Sequence, residues 1–282
     1  MTPPLPLRRR APAKVNLGLH VLRRRADGFH DVETVLLPIA WEDALSVAPA
    51  DGFRFTCSDP SLPTDGRNLC VRAARALAGH AGIEPHGALH LEKRVPHGAG
   101  LGGGSSDAAH TLRLLAEHWG LDVPAADLHA LAAALGSDVP FFLYDGPMLA
   151  TGRGEILEPI DYALPYALAV VMPPVTVGTA EAYGLVRPDN RGRVDLAAVV
   201  RSNDLDRWRA ALVNDFEAPI LARHPEIADA KRMLEEAGAG YASLSGSGAA
   251  VFGVFEREDD AQAVASEAEA HGLRAWTGTG AT

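Results

Sequence analysis

A chain of 282 residues has room for one large or two medium domains, each with a core of its own. Hydrophobic residues make up 47% and charged residues 22%, the balance of an ordinary globular protein. A formal net charge of −10 argues against a general nucleic-acid or membrane-surface binder, which carries a basic face.

The first residues, with Pro3, Pro4, Pro6 and Arg8 to Arg10, lack the apolar core of a signal peptide. Val15, Leu17, Leu19 and Val21 alternate with Lys14, Asn16, Gly18 and His20, which predicts a half-buried strand with Lys14 and Asn16 on one face. That pair alone fits a polar outer face just as well. Asp27-Gly28 predicts a turn that returns the chain into a strand over Val32 to Ile39. A helix is expected from Asn68 to Ala78, stopped at Gly79, and a strand from Ala88 to Val95. Cys57 and Cys70 show no metal-type spacing and read as reduced thiols of a cytoplasmic protein. His86 and His90 are four apart, but no acidic partner completes a zinc pattern.

That strand delivers the chain into Pro96-His97-Gly98-Ala99-Gly100-Leu101-Gly102-Gly103-Gly104-Ser105-Ser106-Asp107. Apolar residues then recur at helical spacing through Ala108, Ala109, Leu112, Leu115 and Trp119, up to Gly120. Glycines leading into a helix expose backbone N–H groups at its positive end, a place suited to phosphate. A linker of Gly and Ser would not abut an amphipathic helix. The Walker loop is excluded because no lysine follows the glycines, and Lys93 lies upstream. The dinucleotide fingerprint fits poorly, since Asp122 falls in a turn between helices rather than at a strand end.

A second helix opens at Pro124 and stops at Gly136. Gly136-Ser137-Asp138-Val139-Pro140 reads, by itself, as a helix cap. Short elements are expected at Phe141 to Tyr144 and Met148 to Leu157, and a buried strand from Tyr166 to Met172. A Pro-rich passage through 187–195 precedes a helix with Trp208 and Leu212 and another over Ile227 to Ala237. Tyr241 to Phe255 reads as two strands about the turn Ser245-Gly246-Ser247-Gly248, with a helix at Ala261 to His271 and a strand at Arg274 to Trp276 behind them. Strands and helices without regular alternation predict an α+β fold, in two halves, 1–158 and 159–282.

Taken in order, these motifs resemble the GHMP kinases, small-molecule kinases with three glycine-bearing motifs. The counterparts are Pro12-Ala13-Lys14-Val15-Asn16-Leu17, Pro96 to Asp107, and Ser243-Leu244-Ser245-Gly246-Ser247-Gly248-Ala249. Asp27-Gly28-Phe29-His30, Arg67-Asn68-Leu69 and Gly136 to Phe141 are most similar to the branch that phosphorylates a diphosphocytidyl methylerythritol at its C2 hydroxyl in non-mevalonate isoprenoid synthesis.

The resemblance covers about Ala11 to the C-terminus. It implies an ATP-binding N-terminal domain, a sandwich-like C-terminal domain and an active site between them. By position it implies Asp138 as the base that deprotonates the hydroxyl and Lys14 as its partner lysine. It places ATP, with Mg²⁺, on Pro96, Gly98, Ala99, Gly100, Leu101, Gly102, Gly103, Gly104, Ser105 and Ser106, with Ser106 as the hydroxyl contact to the metal. Asn68 and Lys93 match positions close to the adenine. Asn16, Phe29, His30, Tyr183, Gly246, Ser247 and Gly248 match positions about the cytidine substrate. Phe29 stands where the family often has tyrosine, and Leu36 where some members have an aromatic. Arg23 to Arg25 read either as a steering patch for a diphosphate or as a solvated hairpin tip. Another GHMP kinase, such as one for homoserine, and a non-catalytic ATP-binding regulator are the alternatives; an RNA-binding module is set aside by the charge.

Overall fold

A computed structural model describes residues 6–281. The chain divides into two compact units that interleave along the sequence. The first takes the residues up to Ala13, Glu42–Pro96 and Gly103–Asp145; the second takes Lys14–Trp41, His97–Gly102 and the residues from Gly146 on. Two long strands, β1 (Leu7–Arg24) and β2 (His30–Ala48), contribute to both. The fold is α+β, as the element pattern predicts.

In the first unit, Ala44 to Ala48 of β2 pair antiparallel with β4 (Gly87–Glu92). β3 (Phe53–Cys57) pairs parallel with β4, and helix α1 (Leu69–Ala81) supplies the crossover that parallel neighbours require. α1 packs on α2 (Gly103–His118) and α3 (Ala125–Leu135). Leu77, Leu112 and Leu115 are buried on the helices, and Leu45, Val47, Leu89 and Leu91 on the strands. α1 runs past Gly79, where the sequence suggests a stop. The residue that turns left-handed is Gly82, at φ +67°, and its N–H closes the helix on Ala78 and Gly79. β1 begins at Leu7, earlier than its apolar run suggests, because Arg8 and Arg10 occupy the exposed face and hide the period of two.

In the second unit, a four-stranded antiparallel sheet runs β10-β7-β9-β8. These strands are β7 (Ala167–Met172), β8 (Tyr241–Leu244), β9 (Val251–Phe255) and β10 (Arg274–Gly278). Between β7 and β8 lie α4 (Thr179–Leu185), α5 (Leu196–Arg201), α6 (Leu205–Ala211), α7 (Glu217–Arg223) and α8 (Pro225–Glu236). α8 and α9 (Glu258–Ala270) pack on the sheet. β7 is buried along nearly its whole length, which is why it reads as a continuous apolar run rather than an alternation. The segment Met148 to Leu157 resolves into a hairpin of β5 (Met148–Thr151) and β6 (Ile156–Pro159), with β5 on β2. Among the described residues, no helix is long and apolar enough to cross a membrane.

Candidate active site

Three segments far apart in sequence meet at one carbonyl in the second unit. Gly100 O accepts from Lys14 Nζ at 2.7 Å and from Ser245 Oγ at 2.9 Å. The backbone knits the same segments: Lys14 N donates to Leu101 O (2.9 Å) and Ala250 N to Ala99 O (3.0 Å). Ala99 and Leu101 are buried, so what they can offer a ligand is backbone. Gly100 has φ +79°, and a Cβ there would stand 2.0 Å from Ser245 O. Only glycine fits. Lys14 is itself buried, and its ammonium also donates to Asn16 Oδ1 at 2.6 Å. Asn16 passes the chain on to Thr34 Oγ1 (3.0 Å), and Thr34 donates to Gly18 O (2.6 Å). The alternating pattern of β1 thus turns its polar face into the protein, not to solvent. Gly246 faces this group; its Cβ would lie 3.3 Å from Lys14 Nζ. Gly248 is buried beside it and Ser247 is half-buried.

The first unit holds the other segments. Gly103, Gly104, Ser105 and Ser106 are the first turn of α2 rather than loop. A Cβ on Gly104 would meet only Leu69, at 3.9 Å. Ser105 is half-buried, whereas Ser106 is fully buried and its carbonyl accepts from His110 Nδ1 at 2.9 Å. Burial pushes the His110 imidazole down to about 4, so it is neutral. Asn68 caps α1: its Oδ1 accepts from Cys70 N and its Nδ2 donates to Pro63 O, both at 2.9 Å. Lys93 is not at the surface. Its side chain is 3% exposed and ion-paired with Asp43 and Asp107. Asp138 is half-buried just ahead of a 3-10 turn, Pro140–Leu143, whose capping position is Val139.

The rings expected about the cytidine substrate, Phe29, His30 and Tyr183, lie in the second unit. Tyr183 stacks on His30 with centroids 4.6 Å apart and planes 18° off parallel, so each ring already covers one face of the other. Tyr183 also meets Phe216 edge-on at 4.9 Å. Burial, followed by the charge of Arg24, lowers the His30 imidazole below its ordinary value. Phe29 is 51% exposed, with the Arg153 guanidinium 4.9 Å over its ring. Arg23 and Arg25 pair with Asp27 and Asp31 at the hairpin tip.

The family described as GHMP kinases N terminal domain matches residues 68–146, and GHMP kinases C terminal matches 196–273. The chain is a GHMP kinase. A Salinibacter ruber protein named 4-diphosphocytidyl-2-C-methyl-D-erythritol kinase is 49% identical over 96% of this chain and 97% of its own. A Chlorobium phaeobacteroides protein of the same name is 47% identical over 90% of each chain. A crystal structure of 4-(cytidine 5'-diphospho)-2C-methyl-D-erythritol kinase aligns at TM-score 0.82 and 37% identity, over 98% of this chain and 100% of that one. Homoserine kinase from Cytophaga hutchinsonii aligns at TM-score 0.74 over 98% of this chain and 95% of that one. At 19% identity it shares the fold alone.

As a GHMP kinase the protein uses ATP, and two glycines of the loop segment leave open space beside their backbone. Gly98, at φ +69°, has only Thr176 within 4 Å of a would-be Cβ, at 3.9 Å, and Gly104 is similarly open. A metal is a different matter. Among the described residues no group of three or more His, Cys, Asp or Glu could hold one. Sequence reasoning missed Asn214. Buried to 3%, it donates from Nδ2 to Leu244 O (2.8 Å) and Gly246 O (2.9 Å) and accepts from Phe216 N (3.0 Å). It also missed Thr34 and Asp43, since no local pattern marks a polar residue inside an apolar strand.

Proposed function

We propose that the kinase transfers the γ-phosphoryl of ATP to the C2 hydroxyl of 4-diphosphocytidyl-2-C-methyl-D-erythritol, a step of isoprenoid precursor synthesis in the cytoplasm. The observation that carries this reading is the 49% identity, over 96% of the chain, to a relative of that name. The meeting of three family motifs at the Gly100 carbonyl supports it. An alcohol is a poor nucleophile, and Asp138 takes its proton as the bond to phosphorus forms. Lys14, held by Asn16 and Gly100, supplies positive charge against that accumulating in the transition state. Residues Gly98 to Ser106 hold the ATP phosphates through backbone N–H groups. Mg²⁺ bound with ATP would neutralise phosphate charge; the half-buried Ser105 is better placed to offer it a hydroxyl than Ser106, the expected contact, which is fully buried. Asn68 lies by the adenine, and Asn16 and the Gly246 to Gly248 turn by the second substrate. His30, its imidazole lowered below its ordinary value by burial, reads the edge of the cytosine, while Phe29 and Tyr183 supply faces for stacking. The division into N- and C-terminal domains falls near residue 158.

Purified protein with Mg²⁺-ATP and a panel of alcohols, with and without a cytidine diphosphate group, tests the assignment. Phosphorus NMR of the product should show a new monoester beside an intact diphosphate. Equal turnover of homoserine or mevalonate would sink the substrate assignment and leave a GHMP kinase of another specificity.

A further inference from the structure

Asp43, Lys93 and Asp107 form a buried run of charge outside the transfer chemistry proposed above. Lys93 Nζ donates to Asp43 Oδ2 and, at 2.9 Å, to Asp107 Oδ2. The side chains of Asp43, Lys93 and Asp107 are 0%, 3% and 4% exposed. Asp43 Oδ1 accepts from the backbone N–H groups of Arg94 (2.5 Å) and Val95 (2.8 Å). Val95 is the residue before Pro96, where the glycine loop starts. Asp107 lies on α2, at whose first residue, Gly103, the loop ends. A Cβ on Gly103 would lie 3.0 Å from both Lys93 Nζ and Val95 Cγ1. The two ends of the loop are therefore fastened to the same three charges. Burial alone would lower the Lys93 ammonium, but the two carboxylates hold it above its ordinary value. Burial and Asp43 raise the Asp107 carboxyl against the pull of Lys93. In such a set, loss of one member strands the others, so the geometry is held tightly.

We infer that Asp43, Lys93 and Asp107 are positioning residues that pin both ends of the glycine loop and set the affinity for ATP without touching it. This rests on the loop being the ATP cradle. Loop ends free to part would let the N–H groups between them lose their common aim, and an anion site depends on that aim. Titration calorimetry with a non-hydrolysable ATP analogue and Mg²⁺, and separately with the cytidine substrate, tests it. Asp107→Ala keeps the Lys93–Asp43 pair and should weaken the ATP analogue fivefold or more, with cytidine-substrate affinity within twofold of the parent. Asp107→Asn, whose carbonyl still accepts from Lys93, should restore most of the loss. Lys93→Met should weaken the analogue further; if it does not fold, the Asp107 pair decides. Equal weakening of both ligands, or unchanged analogue affinity with a lowered Tm, would overturn the inference and leave a purely structural cluster. Normal analogue binding by a parent protein inert toward the cytidine substrate would count against the proposed substrate, and the comparison of variants would stand.

Discussion

Lys14 and Asp138 carry the proposed chemistry, yet they are unequal as experimental handles. Lys14 also donates to Gly100 O and Asn16 Oδ1, so Lys14→Ala strips donors from buried acceptors. An unmade buried hydrogen bond costs about 1–3 kcal/mol, and chemistry and packing would fail together. Asp138 is the cleaner probe. The 3-10 turn beyond it has Val139 at its capping position with no side-chain cap, and Asn would keep the shape and most of the hydrogen bonding of Asp. Asp138→Asn cannot accept the substrate proton, so kcat should fall by roughly 10²- to 10⁴-fold, the usual contribution of a general base. Tm should stay nearly constant. A variant with near-normal kcat in steady-state assays would make Asp138 structural.

At the scale of one element, α2 carries two predictions. Its opening glycines do different jobs. Gly103 is boxed in by Lys93 and Val95, but Gly104 has open space where a Cβ would stand. Gly104→Ala should therefore leave stability unchanged or raise it by up to about 1 kcal/mol, since Ala outranks Gly inside a helix. If phosphate oxygens approach that backbone, the same methyl should weaken ATP binding. Calorimetry and a thermal melt separate the two effects; unchanged ATP affinity would move the phosphates away from Gly104. The second prediction concerns His110, whose imidazole burial lowers to about 4. In the unfolded chain it protonates near 6.5. Between those values the unfolded state binds one more proton, so this group removes stability as pH falls from 6.5 to about 4. The loss is about 3 kcal/mol from the size of the shift. Asp107, raised rather than lowered, acts in the opposite sense, so the parent protein alone would hide the effect. The difference between parent and His110→Asn cancels the Asp107 contribution and isolates it. Urea unfolding at pH 7 and pH 4 should show the parent losing about 3 kcal/mol relative to the variant. A difference independent of pH would mean that His110 is solvated. Periodicity made α2 legible in the sequence, as it did α9, whereas β7 was legible as a short continuous apolar run. It could not show that Gly103 and Gly104 are already helix, because glycine carries no periodic signal. Lys93 was legible only as a charge upstream of a glycine loop and, through the family resemblance, as a residue near the adenine. Its partners stand 50 and 14 positions away, and nothing local marks an ion pair of that span.

Over the molecule as a whole, the same contrast separates what a motif shows from what holds it in place. The strand at residues 14–21, the glycine loop and the Ser245 to Gly248 turn were visible one by one, because each is a short run with its own chemistry. Their convergence was not, since 145 positions separate Ser245 from Gly100. Asn214 is the least legible piece, since it sits between two short helices, where an Asn ordinarily reads as a cap. In the fold it fastens β1 and the third motif to the same core. Leu19 pairs with Asn214 in a parallel bridge, Leu19 N donates to Val213 O at 2.9 Å, and Asp215 N donates to Leu19 O at 2.8 Å. The Asn214 side chain meanwhile satisfies the carbonyls of Leu244 and Gly246. Asn214→Ala would leave Gly246 O and the Phe216 N–H without this partner, and Leu244 O with the long 3.4 Å bond from Ser243 Oγ. At about 1–3 kcal/mol for each unsatisfied buried group, partly relieved by relaxation, the total cost should be about 2–4 kcal/mol. Because the residue is buried where β1 meets the Ser245 turn, the loss should appear in the global transition rather than as local loosening. Urea denaturation followed by tryptophan fluorescence should therefore show a lower midpoint with an unchanged slope. An unchanged midpoint, together with weaker binding of the cytidine substrate, would show instead that Asn214 orders the Ser245 turn alone.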